Sequence, residues 1–210
     1  MRISNERYSR DLQGIKLAHR MLKHEARTKN ICAWTKVSAA RVRNLSRSYC
    51  PSDSGVRHRG PAPSCFATVM TSPVLRPEAA AVAGLCRWFD VLPAAPCLDP
   101  WDTLPGLARG ERLCDAFELF RHIIPQPRLT LDQWILLVLT VADGGTWRIE
   151  GCMNCQATIL TDRLGAWRRL CAGCRLGSKS LPDIAGTQNP TVHPGDWQPT
   201  ESQYRQESLF

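Results

Sequence analysis

Two cysteine pairs, Cys152-Met153-Asn154-Cys155 and Cys171-Ala172-Gly173-Cys174, stand fifteen residues apart in the last third of the chain. Two residues between cysteines let a tight turn aim both sulfurs at one point, about 2.3 Å from a metal ion. A second knuckle supplies the opposite edge of a tetrahedron. Four thiolates leave no open coordination position, so the pattern predicts one closed, structural zinc site at Cys152, Cys155, Cys171 and Cys174. The competing reading, a pair of redox dithiols, has to account for two matched pairs at once.

The other cysteines (Cys32, Cys50, Cys65, Cys86, Cys97 and Cys114) show no pairing pattern. They are expected to be small buried apolar residues in a reducing, cytoplasmic setting. The first residues, Met1 to Arg7, lack the apolar stretch of an export signal. The longest largely apolar run, Trp134 to Ala142, is about half of a membrane span. Neither export nor membrane insertion is expected.

The cysteines must be held by a larger body. At 210 residues and 43% apolar, the chain can bury a substantial core. Its charge is uneven. Residues 1–60 hold 14 Lys/Arg against 4 Asp/Glu, within a chain of formal net charge +8. A basic N-terminal third beside a nearly neutral remainder points to a polyanion as its partner.

Within that third, residues 8–28 place Ile15, Leu17, Ala18, Met21, Leu22 and Ala26 at helical spacing, so a packing helix is predicted. The stretch Ile31 to Leu45 has the layout of a helix-turn-helix. Small Cys32 and Ala33 permit a close crossing, Lys36 occupies the turn, Val37 plugs the angle, and Ser38 caps the second helix through its hydroxyl. Val42 and Leu45 then face the core, which turns Ala39, Ala40, Arg43, Asn44 and Arg47 outward, with Arg41 near the edge. Arginine can read guanine and asparagine adenine in a major groove, and the alanines permit close approach. An ordinary helical hairpin with a basic surface is the plainer reading of the same residues. Lys36 departs from the glycine that suits such a turn. Arg57 and Arg59, just before Pro61-Ala62-Pro63, are candidate phosphate or minor-groove contacts in a loop that equally suits a solvated linker.

Three helices follow. Residues 79–92, opened by Pro77, present Val82, Leu85, Trp88 and Phe89, and residues 107–124 present Leu113, Phe117, Phe120 and Ile124. Thr130 with Gln133 forms a capping box for a third helix through about Ala142, apolar nearly all round and hence central. A strand at Trp147–Glu150 leads into the first knuckle. Thr158–Leu160 and Ala166–Trp167 are predicted to form a hairpin between the knuckles. Arg163, Arg168, Arg169 and Arg175 crowd this module; part of their charge balances the thiolates, leaving Arg168 and Arg169 as secondary phosphate contacts. Residues beyond about Gly177 are polar, rich in Pro, Gln and Ser, and read as a flexible tail.

The expected fold is therefore mainly α. A basic helical DNA-binding region spans 1–65, a helical core 66–145, a zinc-ribbon-like module 146–176 and a tail 177–210.

This order resembles the FlhC family, the zinc-binding subunit of the bacterial flagellar master regulator. The resemblance covers roughly residues 8–178. It runs from Arg10-Asp11-Leu12-Gln13 through the hairpin ending near Leu45 and the Arg59-Gly60-Pro61-Ala62-Pro63 segment. It is tightest from Leu129-Thr130-Leu131-Asp132-Gln133-Trp134 into the two knuckles, where all four cysteines match the family's zinc ligands. The resemblance implies a hetero-oligomer with FlhD that binds promoter DNA upstream of flagellar operons and recruits RNA polymerase to activate transcription. Gln156 stands where the family tends to have glycine, and Ile159 where an aromatic is common. Both departures leave room for a divergent paralogue.

Two other classes compete. A zinc-ribbon accessory protein of a transposase or nuclease would need clustered carboxylates for metal-assisted phosphoryl chemistry. Glu78, Asp90, Asp99, Asp102, Glu111, Asp115, Glu118 and Asp132 form no such set in the sequence, so no catalytic residues are assigned and no enzyme is expected. A thiol redox sensor that releases zinc on oxidation uses the same cysteines.

Overall fold

The computed structural model describes residues 5–49, 63, 65–92, 102–144, 146–163 and 169–177. Helix α1 (Asn5–Lys23) turns Leu17, Ala18 and Met21 inward, where all three are fully buried. It stops short of the predicted residue 28. Glu25 is left-handed at φ 59°, and the Ala26 N–H returns to the Met21 carbonyl at 3.0 Å, closing the helix end. That break lets α2 (Thr28–Thr35) start in a new direction. Lys36, at φ 59°, turns the chain again into α3 (Ala39–Tyr49).

The next helices are α4 (Ala67–Thr71), α5 (Leu75–Trp88), α6 (Leu107–Ile123) and α7 (Leu131–Ala142). Helix α7 begins at the predicted capping box: the Gln133 N–H donates to Thr130 Oγ1 at 3.4 Å, and the Thr130 N–H donates to Gln133 Oε1 at 2.8 Å. Trp134 on α7 gathers the rings of Phe117 and Phe120 edge-on, with centroids 5.2 and 5.3 Å away. Glu78 on α5 accepts from the N–H groups of Arg128 and Leu129, both at 2.9 Å, and so fixes the entry to α7. The chain is mainly helical, and one hydrophobic core runs from Leu17 on α1 to Leu160 in the last strand.

That strand has a partner that the sequence did not assign to it. β1 (Trp147–Gly151) pairs antiparallel with β2 (Thr158–Asp162), with Ile149 opposite Leu160. The first knuckle is therefore the turn of a hairpin, and one arm of the hairpin expected between the knuckles lies outside the described residues. Burial explains the choice. Trp147 and Ile149 pack on the core, with Trp147 edge-on to Phe66 at 6.2 Å, while Arg148 and Glu150 share the other face and pair at 2.7 Å. Ala166 and Trp167 lie outside the described residues, as does the expected tail beyond Gly177. β2 can lie across α5 because Gly84 has no side chain; a Cβ there would meet Thr158 Oγ1 at 3.2 Å.

Cys86 and Cys114 are buried, as expected, and burial raises both thiols, Cys114 to about 12. Cys32 is half-buried. Cys65 is exposed instead, because its neighbour Phe66 takes the place in the core. Cys50 and Cys97 lie outside the described residues. No helix among the described residues is long and apolar enough to cross a membrane.

α1 is clamped to α6 by charge. Arg20 reaches Glu111 at 3.1 Å, Asp115 at 2.5 Å and Glu118 at 2.6 Å, and His24 Nε2 lies 2.7 Å from Glu118. Hydrogen bonding from Arg20, reinforced by His24, holds the Glu118 carboxyl down at about 2. A depressed carboxyl stabilises the fold above its unfolded value near 4.5 and loses that contribution as pH falls toward 2. Urea midpoints measured at pH 6 and pH 3 should therefore fall further for the parent chain than for Glu118→Gln. Equal falls would show that the clamp contributes no such linkage.

Candidate metal centre and helix-turn-helix face

The first knuckle is built by the end of β1. The Cys152 N–H donates to the Ala157 carbonyl at 2.8 Å, and the Gln156 N–H donates to the Cys152 carbonyl at 2.9 Å. Gln156 is left-handed at φ 59°, the backbone region that favours glycine, so the departure noted in the sequence sits at a strained position. The Met153 N–H bonds the Arg169 carbonyl at 2.9 Å and draws the second knuckle alongside the first. The short helix α8 (Ala172–Gly177) carries Cys174 back over the site.

The four sulfurs of Cys152, Cys155, Cys171 and Cys174 all lie within 4.8 Å of one another, and Cys155 Sγ is 3.6 Å from Cys171 Sγ. Metal–sulfur bonds of about 2.3 Å give a tetrahedron with edges of about 3.8 Å, so the group fits a bound metal ion. The surroundings favour thiolates. The Cys171 N–H donates to Cys152 Sγ at 3.3 Å, the Cys174 N–H to Cys171 Sγ at 3.4 Å, and Asn154 Nδ2 to Cys174 Sγ at 3.3 Å. Backbone N–H groups of Cys155 and Cys171 hold the Cys152 thiol down at about 6, and the Cys174 N–H lowers Cys171. Asn154 lowers Cys174 as well, but the sulfurs of Cys171 and Cys155 outweigh it and push Cys174 up to about 12. Such crowding asks for a cation among the sulfurs.

The arginines of this module are largely engaged within it. Arg169 pairs with Glu150 at 3.4 Å, and Arg163 Nη1 donates to the Gly144 carbonyl at 2.8 Å. Arg168 lies outside the described residues.

The N-terminal candidates fall on one turn and one helix. Val37 is buried between α2 and α3, and the hydroxyl of Thr35 accepts its N–H at 3.2 Å. Ser38 Oγ accepts the Arg41 N–H at 3.4 Å and so caps α3. Val42 is fully buried and Leu45 partly so. The opposite face, with Ala39, Ala40, Arg41, Arg43, Asn44 and Arg47, is exposed. The side chains of Lys36, Arg43, Asn44 and Arg47 have no hydrogen-bond or ion-pair partner among the described residues. Arg41 is different: its guanidinium bonds Asp11 on α1 at 3.2 Å. Arg57 and Arg59 lie outside the described residues.

What orients this hairpin is a residue with no distinguishing signal in the sequence. Asp132, in the first turn of α7, is 5% exposed. It accepts from Asn30 Nδ2 at 2.6 Å and from the Arg27 N–H at 3.2 Å, and its other oxygen lies 3.3 Å from Arg27 Nε. A carboxylate from another helix thus caps the start of α2, whose own Arg27 supplies no side-chain cap. The other acids are similarly occupied. Asp102 is bound by Arg109 and Arg112, and Glu111, Asp115 and Glu118 surround Arg20.

No protein-family model matches this chain, and no curated protein matches it.

Proposed function

We propose that this chain is a DNA-binding transcriptional activator carrying one structural zinc ion and acting in a heteromer. The observation that carries the reading is the outward face of α3. Ala39, Ala40, Arg43, Asn44 and Arg47 stand exposed opposite Val42, on a helix capped by Ser38 and set by a tight turn from α2. Small residues permit approach to a base-pair edge, and the unpartnered guanidinium and amide groups supply the donors that read guanine and adenine. Lys36 at the turn, Arg41 at the edge, and Arg57 and Arg59 beyond α3 supply phosphate contacts. Arg168 and Arg169 are secondary contacts.

Zinc is the metal that four thiolates at tetrahedral separation favour, and a closed set of this kind fixes structure rather than turning over substrate. Its role here is to hold β1, β2 and α8 together on α5. The resemblance to the FlhC family extends the proposal to promoters of flagellar operons, an FlhD-type partner subunit and recruitment of RNA polymerase. It rests on the run from Leu129 to Trp134 into the two knuckles.

The test is a mobility-shift titration on flagellar promoter DNA, using the zinc-loaded chain with and without a co-expressed FlhD-type subunit, at two salt concentrations. Specific binding, sharpened by the partner, is expected. Arg43→Ala combined with Arg47→Ala should weaken specific binding by about 30-fold or more, since each guanine contact contributes about 1–3 kcal/mol. Replacing Arg57 and Arg59 should instead weaken all sequences alike and reduce the salt slope by about 2. Specific binding by neither preparation, or parental affinity in the Arg43/Arg47 double variant, would sink the proposal.

A further inference from the structure

Helix α1 carries two apolar stripes, and the described fold uses mainly one of them. Leu17, Ala18 and Met21 face the core. Tyr8, Leu12, Ile15, His19 and Leu22 form a second stripe whose steps alternate four, three, four and three residues. That alternation is the seam of a coiled coil. Tyr8 is 64% exposed and Leu12 40% exposed. Ile15 and His19 are half-buried, and Leu22, at the end of the stripe, also touches the core. Tyr49, at the end of α3 and 63% exposed, sets its ring edge-on to His19 at 5.3 Å and widens the apolar surface.

The two borders of the stripe differ. On one side Asp11 bonds Arg41 of α3 at 3.2 Å, which closes that edge. On the other, Lys16 and Lys23 are exposed, and neither ammonium group has an ion-pair or hydrogen-bond partner among the described residues.

We infer that this stripe is a docking surface for an acidic amphipathic helix of another protein, with Leu12, Ile15 and His19 in the seam and Lys16 and Lys23 paired to its carboxylates. The spacing asks for a helix, because only a helix presents knobs at that alternation. The flanking charge asks for an acidic one, since charges beside a seam decide partner and orientation. A second copy of the chain fits poorly. Paired antiparallel, it would set Lys16 and Lys23 against their own counterparts. Paired parallel, it would offer Lys16 an Asp11 already held by Arg41. Either arrangement also brings together two N-terminal thirds that each hold 14 Lys/Arg against 4 Asp/Glu. This inference stands on α1 alone and does not require α3 to bind DNA.

The experiment titrates the full zinc-loaded chain into a fluorescent synthetic helix of about four heptads, with an Ile/Leu seam flanked by Glu. A twin peptide flanked by Lys is the control. Anisotropy should report binding of the Glu-flanked helix and at least about tenfold weaker binding of the twin. Leu12→Glu should weaken the Glu-flanked helix at least about tenfold, and Lys16→Glu with Lys23→Glu should reverse the preference. Tyr8→Glu, at a more exposed position, is the second variant should Leu12→Glu disturb folding. Equal binding of the two peptides, or binding of neither, overturns the inference. So does a dimer of the chain alone in sedimentation velocity that Leu12→Glu disperses, because the surface then belongs to a second copy. Promoter shifts by the isolated chain should be unchanged in Leu12→Glu, so failure here leaves the DNA reading intact.

Discussion

Cys171→Ser should abolish stoichiometric metal binding and unravel the C-terminal module while leaving most of the helical core standing. Cys171 is the hinge of the site. Its sulfur lies 3.6 Å from that of Cys155 and accepts the Cys174 N–H at 3.4 Å, while its own N–H bonds Cys152 Sγ at 3.3 Å. Without that ligand the remaining sulfurs lose a corner of the tetrahedron, and α8, a single short turn with no buried residue, has little else to hold it. Structural zinc binding releases about 10–16 kcal/mol in isolated finger peptides, far more than a two-stranded hairpin can supply.

The core should respond less. Trp34, Trp134, Leu113 and Val82 are fully buried in the hydrophobic core, which the helices build largely among themselves. Zinc per chain measured by plasma mass spectrometry should fall from one to near zero. Hydrogen exchange should accelerate in residues 147–163 and 169–177, with far-ultraviolet helicity largely kept. Retention of one zinc with unchanged exchange would show that the four sulfurs do not form the metal site. A chelator added to the parent chain should reproduce the same exchange pattern.

Asp132→Ala should cost about 3–5 kcal/mol of stability, the range seen when one partner of a buried charged pair is removed. The substitution leaves Asn30 Nδ2, the Arg27 N–H and the Arg27 guanidinium without their shared acceptor, a carboxylate that is itself only 5% exposed. For a chain of this size, that loss lowers the melting temperature by about 10 °C. Asp132→Asn keeps the shape and one acceptor oxygen, so about half the loss is expected. Exposed Asp143 is the control, and Asp143→Ala should stay within about 0.5 kcal/mol. The consequence for function is positional. Asp132 holds the start of α2, and α2 carries the turn that aims α3. If the proposed DNA contacts hold, affinity should fall in Asp132→Asn although no residue on the outward face of α3 has changed. A loss below about 1 kcal/mol in Asp132→Ala would mean that other contacts orient the hairpin.

Much of this architecture is legible in the sequence, where the information is local. The four cysteines are recognisable because metal-ligand spacing is set by the reach of a two-residue turn. Gln133 three residues after Thr130 marks the start of α7, because a capping box closes within one turn. Val42 and Leu45 declare the buried face of α3 through helical spacing, and Arg43, Asn44 and Arg47 follow as the outward face by geometry.

Tertiary structure decided what depends on residues far apart in the chain. β2 pairs with β1 because Trp147 and Ile149 find a core to cover, a choice that strand propensity alone leaves open. Asp132 becomes the cap of α2 across about a hundred residues of chain, and nothing near either residue announces it. Arg41, equivalent to Arg43 and Arg47 by type, is tied to Asp11 because α1 happens to lie beside it. Sequence by itself marked the longer helices and which four sulfurs belong together, since turn lengths and helical periods act over a few residues. The fold decided which charges are already matched within the chain and which are left on its surface, since that follows from helix packing, which sums weak contacts over the whole chain.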